Sequence, residues 1–117
     1  MSKPLMHQVA ERARGFIADP RSWTQFAIAR TGNNRHCEPT DARAARFCAY
    51  GAILRAAYDV AGEESQAHRL ADQTAMLVMG RDSPYSAFEE LIAINDGQRA
   101  VARKTLLGLF DRALEKV

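Results

Sequence analysis

Phe47-Cys48-Ala49-Tyr50-Gly51-Ala52-Ile53-Leu54-Arg55-Ala56-Ala57 is the stretch on which the fold turns. Apart from the Tyr50 hydroxyl, every member but Arg55 is apolar or small. The run is too short and too poor in large aliphatics to span a bilayer. It therefore predicts a central buried helix, covered on most sides by its neighbours. Followed outward, that helix is expected over residues 41–61, capped by Thr40 or Asp41 and stopped at Gly62. At helical pitch Arg43, Arg46 and Tyr50 share one side, and Arg55 shares another with Cys48, Gly51, Ala52 and Asp59. Small residues on that second face allow another helix to approach closely. An arginine there must find a partner or reach solvent on its long stem.

The flanking segments read as further helices. Ser2 and Pro4 suit the start of a first helix, whose inner face is Leu5, Met6, Val9, Ala10, Ala13, Phe16 and Ile17. Asp19-Pro20 ends it. His7 falls on its solvated side. A short second helix is expected from Ser22 to Arg30, with Trp23, Phe26 and Ala27 inward. Thr31 to Thr40 reads as a loop. Glu63 to Met79 carries the stripe Ala67, Leu70, Ala71, Thr74, Leu77 and Val78, and Gly80 stops it. Ser83-Pro84 opens the next helix. There Tyr85, Phe88, Leu91 and Ile92 lead on one face to Asn95, a buried amide that needs partners for both of its ends. Asp96-Gly97 breaks that helix, and Asp96 is expected to cap the last one. In that final helix Ala102, Leu106, Leu109, Phe110, Ala113 and Val117 form the core face. Leu107 and Leu114 widen the apolar arc, a hint of self-association.

The 117 residues are expected to make one helical domain, 1–117. Apolar residues are 47% and charged residues 26%, an ordinary globular composition. The net charge of +2 does not by itself imply nucleic acid or anionic lipid. Cys37 and Cys48 are too few for a disulfide framework, so a reducing cytoplasm is the simpler setting. The residues after Met1 have no apolar core of a secretory signal.

Three constellations carry chemistry. In the first, Arg55 reaches the break between the last two helices and meets Asn95 and Asp96, either as a structural clasp or as the wall of a pocket for an anionic or amide ligand. Cys48 belongs to the same cluster. In the second, Cys48 would be a thiol nucleophile with His68 or His36 as base and Asn95 as orienter. A cysteine deep inside a helix among alanines is a poor setting for that. In the third, a helix-turn-helix reads DNA, but Glu89 and Glu90 on the recognition helix would face phosphate. Nucleic acid is disfavoured as a partner. His36, Cys37 and Glu38, being adjacent, do not have metal-ligand spacing, so no metal is expected. No cofactor and no catalytic residue is assigned. The site candidates are Arg55, Asn95, Asp96 and Cys48. The leading reading is a non-enzymatic cytoplasmic binding or accessory protein, with a protein partner or a homodimer through the last helix and no membrane. A ligand-binding or enzymatic site at the four candidates is one alternative, and a weak nucleic-acid-binding helical domain is the other.

Trp23, the run Phe47-Cys48-Ala49-x-Gly51-Ala52-x-x-Arg55-Ala56, the triplet Ile94-Asn95-Asp96 and Leu107-x-x-x-Asp111-Arg112-Ala113 together resemble a family of small bacterial and phage proteins catalogued as a domain of unknown function. Members commonly have tryptophan where this chain has Ile94. The residue reading predicts an all-α fold, an irregular bundle of five or six helices around the central one; the resemblance supports that class and implies that these residues form a unit. It implies no activity, substrate or partner.

Overall fold

Five helices and one two-stranded sheet appear in the computed structural model, which describes residues 3–116. They are α1 (Leu5–Ala18), β1 (Ala29–Thr31), β2 (Ala44–Phe47), α2 (Ala49–Ala61), α3 (Glu64–Met79), α4 (Pro84–Asn95) and α5 (Arg99–Lys116). The helical bundle expected around a central helix is present. Every residue from Ala49 to Leu54 is buried, and so are Ala56 and Ala57. α1, α3 and α4 pack around α2, while α5 packs on α1, α3 and α4. Ile17, Trp23, Ile53, Leu91, Leu106 and Phe110 fill the centre.

Two segments depart from the helical reading. The central helix begins at Ala49 rather than Asp41, and Cys48 is its N-cap, with Sγ accepting from the Gly51 N–H at 3.3 Å. Residues 44–47 instead pair antiparallel with β1, joining Ala29 to Phe47 and Arg30 to Arg46, with an irregularity between Arg30 and Thr31. The expected helix from Ser22 to Arg30 is likewise absent: the chain pairs with Phe47 at Trp23, bends over 25–28 and enters β1 at Ala29. The Phe47 N–H donates to the Ser22 carbonyl at 2.9 Å, and the Thr24 N–H to the Phe47 carbonyl at 3.0 Å. Spacing at Trp23, Phe26 and Ala27 fits a helix, but tertiary ladder bonds override so short a periodic segment. Arg30 and Arg46 face each other as like charges, an unfavourable cross-strand pair. Arg30 turns aside to donate to Thr24 Oγ1, the Asn34 carbonyl and the Gln25 carbonyl.

Elsewhere the punctuation works as local chemistry dictates. Gly62 and Gly80 end α2 and α3 in the left-handed conformation. Ser83 caps α4 ahead of Pro84, and extended Asp19 before Pro20 ends α1. Pro4 itself occupies the N-cap of α1. The expected cap Ser2, and Val117 of the last helix's core face, lie outside the described residues. His7 is half-buried rather than solvated, and its Nδ1 has no hydrogen-bond partner among the described residues. Leu107 and Leu114, which widen the apolar arc of α5, pack against the core of their own chain. No described helix is long and apolar enough to cross a membrane.

Candidate functional site

Asn95 closes the buried face of α4 and is fully buried. Its Oδ1 accepts from Trp23 Nε1 at 2.7 Å and from the Ala49 N–H at 2.9 Å. Its Nδ2 donates to the Thr24 carbonyl at 3.1 Å and to Asp96 Oδ1 at 3.0 Å. Two acceptor sites and two donor hydrogens are all an amide has, so Asn95 is saturated. One of these bonds satisfies the first N–H of α2, a group the helix cannot pair internally. Another satisfies the indole N–H of a buried tryptophan. A single amide thus ties α4, the start of α2 and the chain at Trp23-Thr24 together.

The chain after Trp23 is fixed to the same place. Gln25 Nε2 donates to the Asn95 carbonyl at 2.9 Å and to the Gly97 carbonyl at 2.7 Å. The Phe26 N–H donates to Asp96 Oδ1 at 2.9 Å. Asp96 therefore ends α4 and holds Phe26, rather than capping the last helix as expected. Phe26 has φ 63° and the residue is 67% exposed, where an inward position was expected.

The four candidates do not form one cluster. Cys48 precedes Ala49 and so borders Asn95 and Asp96. Arg55 lies two turns further along α2, and its polar contacts are elsewhere. It donates through Nη1 to the Pro39 carbonyl at 3.0 Å and the Asp41 carbonyl at 2.9 Å, and through Nε to Asp59 at 3.3 Å. Its guanidinium also lies 5.9 Å from the Phe47 ring centre. Arg55 is a clasp, but on the Pro39–Asp41 loop. A double-mutant cycle on Arg55 and Asp96 is expected to be additive within about 0.5 kcal/mol, since the two share no partner. A larger coupling would place them back in one unit.

At Cys48 two effects on the thiol oppose each other. The N-cap position and the Gly51 N–H favour the thiolate. Burial disfavours it and dominates, pushing the thiol up to about 11. The expected result with iodoacetamide at pH 8 is no labelling of Cys48 in native protein and ready labelling after unfolding, read by peptide mass spectrometry. Labelling of native Cys48 at the rate of an exposed thiol would restore the nucleophile reading.

The resemblance grouped Trp23 with Asn95 and Asp96, but the sequence reading missed Thr24, Gln25 and Phe26 as parts of this unit and did not foresee the indole bond. The available signal was the indole N–H, which needs an acceptor once buried. Trp23 also lines an open cleft of about 550 Å³, together with Pro20, Arg99, Ala100, Arg103, Lys104 and Leu107.

These features define a class: a small five-helix bundle whose central helix is pinned at its N-terminus by a saturated amide, with a two-stranded hairpin inserted before it. The chain belongs to the family of unknown function DUF6197, whose model matches residues 1–116. Cartilage intermediate layer protein 2 of Mus musculus is 39% identical over 75 residues, which are 64% of this chain and 6% of that protein. The chain thus spans a small part of that relative's length. No solved structure matches the chain.

Proposed function

We propose that this protein is a non-enzymatic cytoplasmic binding protein that engages a partner protein through Phe26. The backbone at Phe26 carries the reading. A bulky residue in the left-handed region costs roughly 1–2 kcal/mol, and an exposed ring recovers little of that by burial. The segment holds the conformation because it is bonded from both sides, by Asp96 and Gln25 toward α4 and by Arg30 toward the hairpin. A strained aromatic, fixed and exposed, has the form of an anchor for a partner's apolar pocket. The remaining polar groups nearby, Asn95 and Cys48, are engaged in holding this segment and the start of α2, which favours binding over catalysis. Two free cysteines, Cys37 and Cys48, support a cytoplasmic setting.

The test is a photo-crosslinking amino acid placed at position 26 in the host cell, with position 85 as control, since Tyr85 is equally exposed. A discrete adduct at 26 and not at 85 is expected. An adduct of twice the chain's mass would assign the face to a second copy, and no adduct at 26 would end the reading. Separately, Phe26→Asn is expected to stabilise the isolated protein by about 0.5–1 kcal/mol in urea unfolding, because asparagine tolerates the left-handed region. A loss of stability would mean that the ring packs for the fold.

A further inference from the structure

The cleft beside Trp23 gathers three positive charges, of which only Arg103 has a carboxylate in its neighbourhood, that of Asp19. Arg99, Arg103 and Lys104 line it with Pro20, Trp23, Ala100 and Leu107, and none of the lining residues is acidic. Among the described residues Arg99 and Lys104 form no salt bridge and no side-chain hydrogen bond. The Arg99 guanidinium lies over the Trp23 ring, 5.1 Å from its centre. Arg103 has a structural task, since its Nη1 donates to the Ala18 carbonyl at 2.7 Å at the end of α1. Its other guanidinium hydrogens remain available. The nearby carboxylate of Asp19 is held by Arg21 at 3.2 Å.

We infer that this cleft binds a small dianion with a flat apolar body, of which an aryl phosphate is the simplest example. Three cations on one wall focus a field that favours a doubly charged group, and arginine forks match phosphate oxygens. Pro20, Ala100 and Leu107 give the body an apolar seat beside the Arg99–Trp23 stack. The volume suits a ligand of mononucleotide size. The site is independent of the Phe26 reading, because neither Phe26 nor the residues that hold it, Gln25, Arg30 and Asp96, line the cleft.

Trp23 is the chain's only tryptophan, so its fluorescence reports the cleft directly. Phenyl phosphate is expected to shift the emission saturably with a Kd between about 10 μM and 1 mM. Benzoate, with one charge, should bind at least several-fold more weakly, and phenol should not respond. Lys104→Glu and Arg99→Gln should each weaken phenyl phosphate at least about tenfold. Lys104 is exposed and unbonded, so Lys104→Glu should melt as the wild type does. No saturable response to phenyl phosphate overturns the inference, as does an undiminished response in Lys104→Glu. Displacement of phenyl phosphate by a short oligonucleotide at a hundredth of its concentration would overturn it too, assigning the cleft to a nucleic-acid backbone.

Discussion

Asn95→Ala is expected to destabilise the protein by about 4 kcal/mol or more, lowering the melting temperature by about 15 °C or preventing folding outright. The truncation removes four hydrogen bonds at once. It leaves the Trp23 indole N–H, the Ala49 N–H and the Thr24 carbonyl without their partner in the interior. Each such buried group costs about 1–3 kcal/mol, against a total stability for a domain of about 5–15 kcal/mol. Asn95→Asp separates the network from simple volume. It keeps the shape and both acceptor positions, but it sets a second oxygen against the Thr24 carbonyl and the Asp96 carboxylate. Its loss is expected to match that of Asn95→Ala. A loss below about 1 kcal/mol in chemical denaturation, for either variant, would mean that the amide does not tie these elements together.

Gly51→Ala is the second large effect, and its sign runs against local propensity. In a helix interior alanine is favoured over glycine by about 1 kcal/mol. At position 51 an added Cβ would lie 2.0 Å from the Ile28 carbonyl oxygen. That oxygen belongs to backbone and also accepts from the Cys48 N–H at 3.2 Å, so it cannot retreat without losing the cap region of α2. The expected net loss is about 2–4 kcal/mol. Gly15 in α1 is the control. An added Cβ there meets nothing within 4 Å, and Gly15→Ala is expected to stabilise by about 0.5–1 kcal/mol. Equal effects at positions 15 and 51 in urea titrations would contradict the close approach of Ile28 to α2.

The difference between these two glycines shows how far the sequence reaches. Gly15 and Gly51 both stand in helical patterns, and helix propensity alone does not separate them. The small face of α2 does signal a close neighbour. What comes there is the Ile28 carbonyl of a bent, non-helical segment, where a helix was expected. Similarly, the apolar stripe of α4 places Asn95 in the interior, and the chemistry of an amide demands partners at both ends. Which partners they are depends on residues some seventy positions earlier, at Trp23 and Thr24. Arg55 was equally legible as a side chain in need of acceptors. It found them on the Pro39–Asp41 loop because α2 starts at Ala49, leaving residues 39–41 free to cross its face.

The sequence by itself determined what short-range physics can decide: the five long helices and their apolar faces, the glycine stops at Gly62 and Gly80, the Ser83-Pro84 start, and the burial of Asn95. These follow from periodicity and capping, which act over one or two turns. Only the tertiary structure decided that residues 44–47 are a strand and that Cys48 caps α2. It also decided that Phe26 points outward in a strained backbone, and that Arg99, Arg103 and Lys104 meet Trp23 in one cleft. Each of these is set by a bond or contact between distant parts of the chain, and such contacts override a weak local preference wherever a helical run is too short to sustain itself.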